Sequence, residues 1–196
     1  MRQLIILLLL SGISAFGQPA KSEPFEINGL LRFELVKPIA FGDNALAKAH
    51  QSVLGLGVGI GIFRYQNFRL GYGYHFSRYN ITDQTLTGNM DHTNYSSHYG
   101  AISYEFPAAD KITVTPEVGF GQAQLKQAYS GTRYSYQKGS EFRLGARGNF
   151  YLTESTSAYV SLQYVHANLQ IETAPEYVDF FGRAQQLQLA VGIQFD

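Results

Sequence analysis

The sequence predicts an all-β chain that forms an eight-stranded antiparallel barrel of the up-and-down type. Three observations carry this prediction: long runs of alternating apolar and polar residues, connections that alternate between short and long, and a composition rich in glycine and aromatic residues. The 196 residues include 20 Gly, 14 Tyr and 14 Phe, with no Cys. Alternation with a period of two is typical of strands that have one apolar face. The composition therefore favours a single β domain without disulfides.

The N-terminus has the pattern of a secretory signal peptide. Arg2 precedes an apolar run from Leu4 to Ile13, and small residues stand at Ala15 and Gly17. The run is too short to span a membrane as a helix, and the small residues are typical of a cleavage site. We predict that residues 1–17 are a signal peptide and that residues 18–196 are the exported barrel. A buried N-terminal helix or strand is the alternative.

Eight segments after this point show the alternation of strands. It is plainest in the last, "QQLQLAVGIQFD", where apolar residues at every second position alternate with glutamine, alanine and glycine. Pro116 removes a ladder donor from the fifth segment, so we expect a bulge there. The predicted strands are residues 25–36, 53–65, 68–79, 98–106, 112–125, 141–152, 158–171 and 185–196.

The connections between these strands alternate in length. Short turns are predicted at residues 66–67, 107–111 and 153–157, and long polar connections at residues 37–51, 80–97, 126–140 and 172–184. Short turns on one side and long loops on the other are typical of an outer-membrane barrel. An even number of strands then places both termini on the short-turn side, which we predict to be the periplasm.

The faces opposite the apolar ones carry charge. In a soluble ligand carrier these charges would lie on the wet exterior, and the glycines beside them would have no role. In a membrane barrel they face a lumen just wide enough to be filled by side chains, where both signs can pair and glycines make room. We therefore predict an apolar, lipid-facing exterior and a closed lumen, with a soluble carrier as the alternative. The predicted lumen charge network is Arg32, Glu34, Arg69, Glu105, Glu117, Arg143 and Arg147.

The chain resembles the small outer-membrane β-barrel proteins of the OmpA, OmpX and PorT-like kind. The resemblance rests on "GLGVGIGIF", a two-residue turn and "FRLGYGYHF", and on the terminal "AVGIQFD". It covers nearly the whole mature chain, and it is architectural. It implies an integral outer-membrane protein, whose relatives serve as structural barrels, adhesins, lipid enzymes or companions of larger machines. The implied fold therefore does not assign a function.

No motif for catalysis or cofactor binding is apparent. The histidines lack metal-binding spacing, and a formal net charge of +0 gives no basic patch for nucleic acid. Ser161 and His166 are five residues apart, so they face opposite sides of a strand. We predict that the protein is not an enzyme and that it binds no metal, cofactor or nucleic acid. A small-solute pore and a lipid-modifying enzyme are the alternatives.

Aromatic residues in two long connections form the candidate partner-binding surface. Phe180 and Phe181 are adjacent in one connection, and Tyr129, Tyr134 and Tyr136 lie in another. Exposed aromatic residues often mark contact surfaces. We expect a structural barrel or one that binds another protein or a surface glycan through these loops. The alternative is that the stretch around Phe180 and Phe181 merely extends the seventh and eighth strands, with one Phe packing on the neighbouring loop.

Overall fold

The computed structural model describes residues 26–27, 29–129 and 132–196 and consists mainly of strands. The signal peptide predicted at residues 1–17 lies outside the described residues. The strands are β1 (Glu26–Ile27), β2 (Leu31–Ala40), β3 (His50–Tyr65), β4 (Phe68–Ile81), β5 (His92–Tyr104), β6 (Phe106–Ala109), β7 (Ile112–Tyr129), β8 (Thr132–Tyr151), β9 (Thr156–Gln170) and β10 (Arg183–Phe195).

Eight of these strands close into a ring in which every pairing is antiparallel. The order around the ring is β3, β2, β10, β9, β8, β7, β5 and β4, and pairing of β4 with β3 closes it. Strand β6 continues β5 after Glu105 and pairs with β7, while β1 adds a two-residue pairing to β3. The predicted eight-stranded antiparallel barrel is confirmed.

Pro116 causes no bulge, so that prediction is wrong. Its pairing with Ala146 continues the register between β7 and β8 without a shift. On its other side, the pairing with β5 ends at Glu117 and the pairing with β6 begins at Val114. Pro116 therefore lies where its neighbour is interrupted at Glu105. Because the neighbouring strand is interrupted there, the missing backbone donor of Pro116 is accommodated without a bulge.

The prediction of a long loop at residues 126–140 is also wrong, because residues 126–129 and 132–140 belong to two paired antiparallel strands. Strand β7 runs to Tyr129 and β8 begins at Thr132, and the two pair along this whole length. We call residues 126–129 and 132–138 the β7–β8 arm. Its residues are polar on both faces, so the alternation that reveals a half-apolar strand is absent from the sequence.

The other long connections contain short helices. These are α1 (Ala45–Ala49), α2 (Gln84–Thr87) and α3 (Val178–Gly182), the last preceded by a 3₁₀ turn at Pro175–Tyr177. Asn44 caps α1, since its Oδ1 accepts a hydrogen bond from the Ala47 amide at 3.0 Å. We call this side of the barrel the loop end and the other, which carries the tight turns and the chain's last residue, the short-turn end. Among the described residues, no helix is long and apolar enough to cross a membrane.

The apolar face of the barrel points outwards. On β10, Val191 is 55% exposed, whereas Gln188 is 2% exposed and faces the lumen. The same division holds around the ring, with most Leu, Ile, Val and Phe residues of the strands outside and most charged strand residues inside. This arrangement is the inverse of a soluble barrel and matches a barrel whose exterior contacts lipid.

Candidate functional site: the filled lumen and the loop end

All seven charged residues of the predicted network face the lumen. Six are buried, and Glu34 is half-buried. Six of them lie on strands, at positions whose chain neighbours point to the outer face, so the period of two places them inside; Glu105 lies between β5 and β6. The structure divides them into three groups, centred on Glu117, Arg143 and Arg69.

Glu117 is the shared acceptor of the central group. Its Oε2 accepts hydrogen bonds from Arg147 Nη1 at 2.7 Å and Arg32 Nη1 at 3.2 Å. Its Oε1 accepts one from Gln163 at 3.2 Å. Nearby, the Tyr159 hydroxyl donates to Glu34 at 3.0 Å. One carboxylate thus neutralises two guanidinium groups from strands on different sides of the lumen.

Arg143 is the most connected cation in the described part of the lumen. Its Nη1 donates to Gln163 and Gln188 at 3.0 Å each, and its Nη2 donates to Ser97 at 2.9 Å. Its Nε pairs with Glu141, and its guanidinium carbon lies 4.2 Å from the centre of the Tyr99 ring. Nearly every donor of this buried guanidinium therefore has a partner.

Glu141 and Asp196 belong to the network but were not predicted. Glu141 lies two residues from Arg143 on the same face of β8, so the period of two could have revealed it. Asp196 pairs with Arg69, which also contacts Glu105 at 3.1 Å. No sequence signal connects Asp196 with Arg69, because closure of the ring alone brings the chain's last residue to β4.

Glycines on β3 and β4 provide the space that the long lumen side chains occupy. A Cβ on Gly57 would lie 2.3 Å from Glu34 Oε1, and one on Gly59 would lie 2.7 Å from Arg32 Nε. A Cβ on Gly73 would lie 2.4 Å from the Tyr99 ring. These distances are shorter than van der Waals contact. Glycines therefore stand at the positions of β3 and β4 that face large charged or aromatic side chains.

A cavity of about 10 Å³ lies beside Arg32, Arg69 and Arg147. That volume accommodates about one water molecule.

The loop end contains a larger cavity of about 150 Å³ between the helices and the β7–β8 arm. Its floor is apolar and includes Leu46, Leu125 and Leu169. At its side, His50 Nδ1 donates to the Ala45 carbonyl at 3.0 Å, so Nε2 accepts from the Thr93 hydroxyl at 2.7 Å. Burial lowers the pKa of His50, and the hydrogen bond to Ala45 partly opposes this. His50 thereby attaches α1 to the barrel.

Phe180 and Phe181 lie in α3 and are half-buried, not fully exposed as expected for a wet loop. Their rings are perpendicular at 4.9 Å, and Phe181 lines the loop-end cavity. The exposed residues beside them are Tyr177 at 51% and Val178 at 42%. The most exposed aromatic and apolar side chains of this segment therefore lie a few residues before the predicted pair.

The tyrosines of the β7–β8 arm do not form one surface with this pair. Tyr136 faces outwards between Lys126 and Lys138, whereas its neighbour Gln137 lines the cavity with Phe181. Tyr129 is exposed near the tip of the arm. The side chain of Tyr134 lies outside the described residues.

Two combinations of Ser and His in the described residues are not arranged for catalysis at a site that a substrate could reach. Ser161 faces the lumen, while His166 faces outwards with its Nε2 3.1 Å from Asn168 Oδ1. His75 contacts Ser77, but both side chains are fully buried. No group of three His, Cys, Asp or Glu side chains in this part of the chain could hold a metal ion.

A closed barrel with an apolar exterior and a charged lumen defines an integral membrane protein of the outer-membrane class. The chain matches the model of the outer membrane protein beta-barrel domain family over residues 5–195 and belongs to that family. The outer membrane is therefore its location. No curated protein matches the chain.

Solved structures share the fold at low sequence identity. Neisserial surface protein A is 12% identical, with 88% of this chain and 99% of that chain covered and a TM-score of 0.68. AlkL, solved in lipid bilayers, is 14% identical over 91% and 94%, with a TM-score of 0.54. OprG from Pseudomonas aeruginosa is 9% identical over 87% and 96%, with a TM-score of 0.51. Such likeness shows the architecture alone.

Proposed function

We propose that this protein is a closed, non-enzymatic outer-membrane barrel that binds another protein or a surface glycan through its loop end. The observation that carries the proposal is the filled lumen. Arg32, Glu117 and Arg143 interlock strands across the interior, so the barrel serves as a rigid support. What remains for recognition is the surface of the helices and of the β7–β8 arm.

Exposed apolar and aromatic residues at the loop end support this proposal. Tyr177, Val178, Leu86 and Tyr129 are each more than a third exposed, although the surrounding connections are polar. The helix that carries Val178 is braced by the ion pair of Asp179 with Arg183 at 2.9 Å. Exposed aromatic residues on a fixed support are typical of interaction surfaces, because little ordering is required when a partner binds.

The proposal places the loop end outside the cell and both termini in the periplasm. Because the chain has no cysteine, a single introduced thiol reports its own location. Gln84→Cys in α2 should react with a membrane-impermeant maleimide on intact cells. Glu154→Cys in a short turn should react only after the outer membrane is opened. The reverse pattern would contradict the proposed orientation.

Native purification in mild detergent tests the binding role. We expect Tyr177→Ser/Val178→Ser to lose a co-purifying partner that the wild type retains. Phe180→Ser/Phe181→Ser tests the predicted pair itself, although Phe181 also lines the cavity. Leu152→Ser is the matched control, because Leu152 is equally exposed at the short-turn end. Heat-modifiable gel mobility shows that each variant folds. Retention of every partner by both loop variants would refute the proposal.

A further inference from the structure

The loop-end cavity is closed on the side that faces the lumen. The leucines of its floor pack in one cluster with Tyr79 and Tyr95, whose side chains are fully buried. The Tyr95 hydroxyl contacts Glu141, which pairs with Arg143 in the charged network. This cluster therefore separates the cavity from the polar lumen. A molecule that enters from the loop end reaches a blind pocket, because the packed floor stops it above the lumen charges.

Two amide side chains reach the cavity from the β7–β8 arm. Gln127 and Gln137 both line it. In the strand register, Gln137 pairs with Leu125, two residues before Gln127. The two glutamines are therefore diagonal neighbours on one face of the arm, about 7–8 Å apart, so both amides can reach the same ligand group. Among the described residues, neither side chain forms a hydrogen bond, unlike Gln163 and Gln188 in the lumen.

The charges beside the cavity cancel. Arg183 is the only lining residue, among those described, that carries a permanent charge, and its Nη2 pairs with Asp179 Oδ1 at 2.9 Å. Both ring nitrogens of His50 are already engaged, with the Ala45 carbonyl and the Thr93 hydroxyl. An ionised ligand would give up its hydration without gaining a free counter-charge. The cavity is therefore suited to a neutral molecule.

We propose that the loop-end cavity binds a neutral small molecule that has an apolar body and one hydroxyl or carboxamide group. The floor leucines and the Phe181 ring cover the apolar body, while the amides of Gln127 and Gln137 donate to and accept from the polar group. The volume of about 150 Å³ is that of an apolar cavity that holds benzene, so the ligand has about six to eight non-hydrogen atoms. This inference goes beyond the proposed partner binding and does not depend on it.

The test uses benzyl alcohol as the probe and records leucine methyl NMR of the protein in phosphatidylcholine nanodiscs. Benzyl alcohol also partitions into lipid, so the position of each reporting leucine matters. We expect the methyl shifts of the buried floor residues Leu46, Leu125 and Leu169 to follow a saturating single-site curve. The shifts of Leu162 and Leu189, which are exposed on the outer surface, should rise linearly with the amount of probe. Saturation confined to the floor residues identifies a binding site.

Variants test the two ends of the site separately. Gln127→Leu/Gln137→Leu removes both amides, so we expect the Kd of benzyl alcohol to rise about fivefold to thirtyfold and that of fluorobenzene to change little. Gln137→Leu alone should cost about fivefold, which keeps the test available if the double variant does not fold. Gln122→Leu, at an exposed position of β7, is the matched control and should leave both affinities unchanged. Ala45→Leu fills part of the cavity and should abolish saturation by either probe.

Three results would overturn the inference. One is a linear response of the floor leucines, which would show partitioning without a site. Another is an unchanged affinity for benzyl alcohol in the folded glutamine variants, which would show that the amides recognise nothing. The third is tighter binding of benzoate than of benzyl alcohol, which would show a site for anions. No protein partner is present in this assay, so its outcome is independent of the purification experiment above.

Discussion

Glu117 holds two guanidinium groups among the buried side chains of the lumen. Glu117→Gln keeps the shape of the side chain but leaves Arg32 and Arg147 without their shared counter-charge. Removing one partner of a buried ion pair costs about 3–5 kcal/mol, so we expect the free energy of unfolding to fall by about that amount. Urea titration in detergent micelles measures it. Glu154→Gln, in an exposed turn, is the control, and equal small losses in both variants would contradict the buried network.

At the same scale, substitution of Val191 tests whether the outer surface of the barrel contacts lipid. Val191 is exposed on the outside of β10 between Leu189 and Ile193, which are also exposed. An arginine on the lipid face near the bilayer midplane costs about 2–4 kcal/mol. We therefore expect Val191→Arg to lower the free energy of folding into lipid vesicles by this amount and Val191→Leu to leave it nearly unchanged. An arginine tolerated at no cost would place Val191 away from lipid.

At the scale of elements, His50 attaches helix α1, which lies in the loop between β2 and β3, to the barrel. Because burial lowers the pKa of His50, the folded protein favours the neutral ring. As the pH falls below the ordinary histidine value of about 6.5, the unfolded chain binds a proton before the folded protein does. Stability is therefore lost in that window and levels off below the pKa of His50 itself.

The expected result is a steeper loss of stability in the wild type than in His50→Gln between about pH 7 and pH 5. The glutamine can donate to the Ala45 carbonyl and accept from Thr93, but it does not titrate. Urea unfolding of both proteins across this range measures the difference. Parallel pH profiles would show that His50 contributes nothing to the pH dependence.

The β7–β8 arm shows why some elements were mispredicted. Its pairing continues from the barrel without interruption except for a register shift between Gln127 and Ala128. The sequence of the arm consists mainly of polar residues and tyrosines, so the apolar alternation that identifies a half-buried strand is missing. Hydrogen bonding between β7 and β8, which a linear sequence does not display, is what extends the hairpin.

For the whole molecule, the interlocked lumen leads to an electrical prediction. The three groups around Glu117, Arg143 and Arg69 lie at successive levels of the barrel, and a cavity of about 10 Å³ lies among them. We expect no stable conductance steps of nanosiemens size in planar bilayers. A general porin reconstituted in the same lipid is the positive control. Such steps from the purified protein would support the alternative of a small-solute pore.

The sequence by itself determined the number of strands, the closure into one antiparallel barrel and the face that meets lipid. These follow from the alternation along each strand, which is a local property and does not depend on which strand is its partner. The same alternation placed Arg32, Glu117 and Arg143 inside, and it would have placed Glu141 there too.

Only the tertiary structure decided which lumen residues meet. Arg69 and Asp196 are 127 positions apart, and Arg32 and Glu117 are 85 apart. These contacts depend on the tilt and register of eight strands closed into a ring, which are set by all strand pairings together. The half-burial of Phe180 and Phe181 arises in the same way, because the α3 helix packs over a cavity formed by loops from distant parts of the chain.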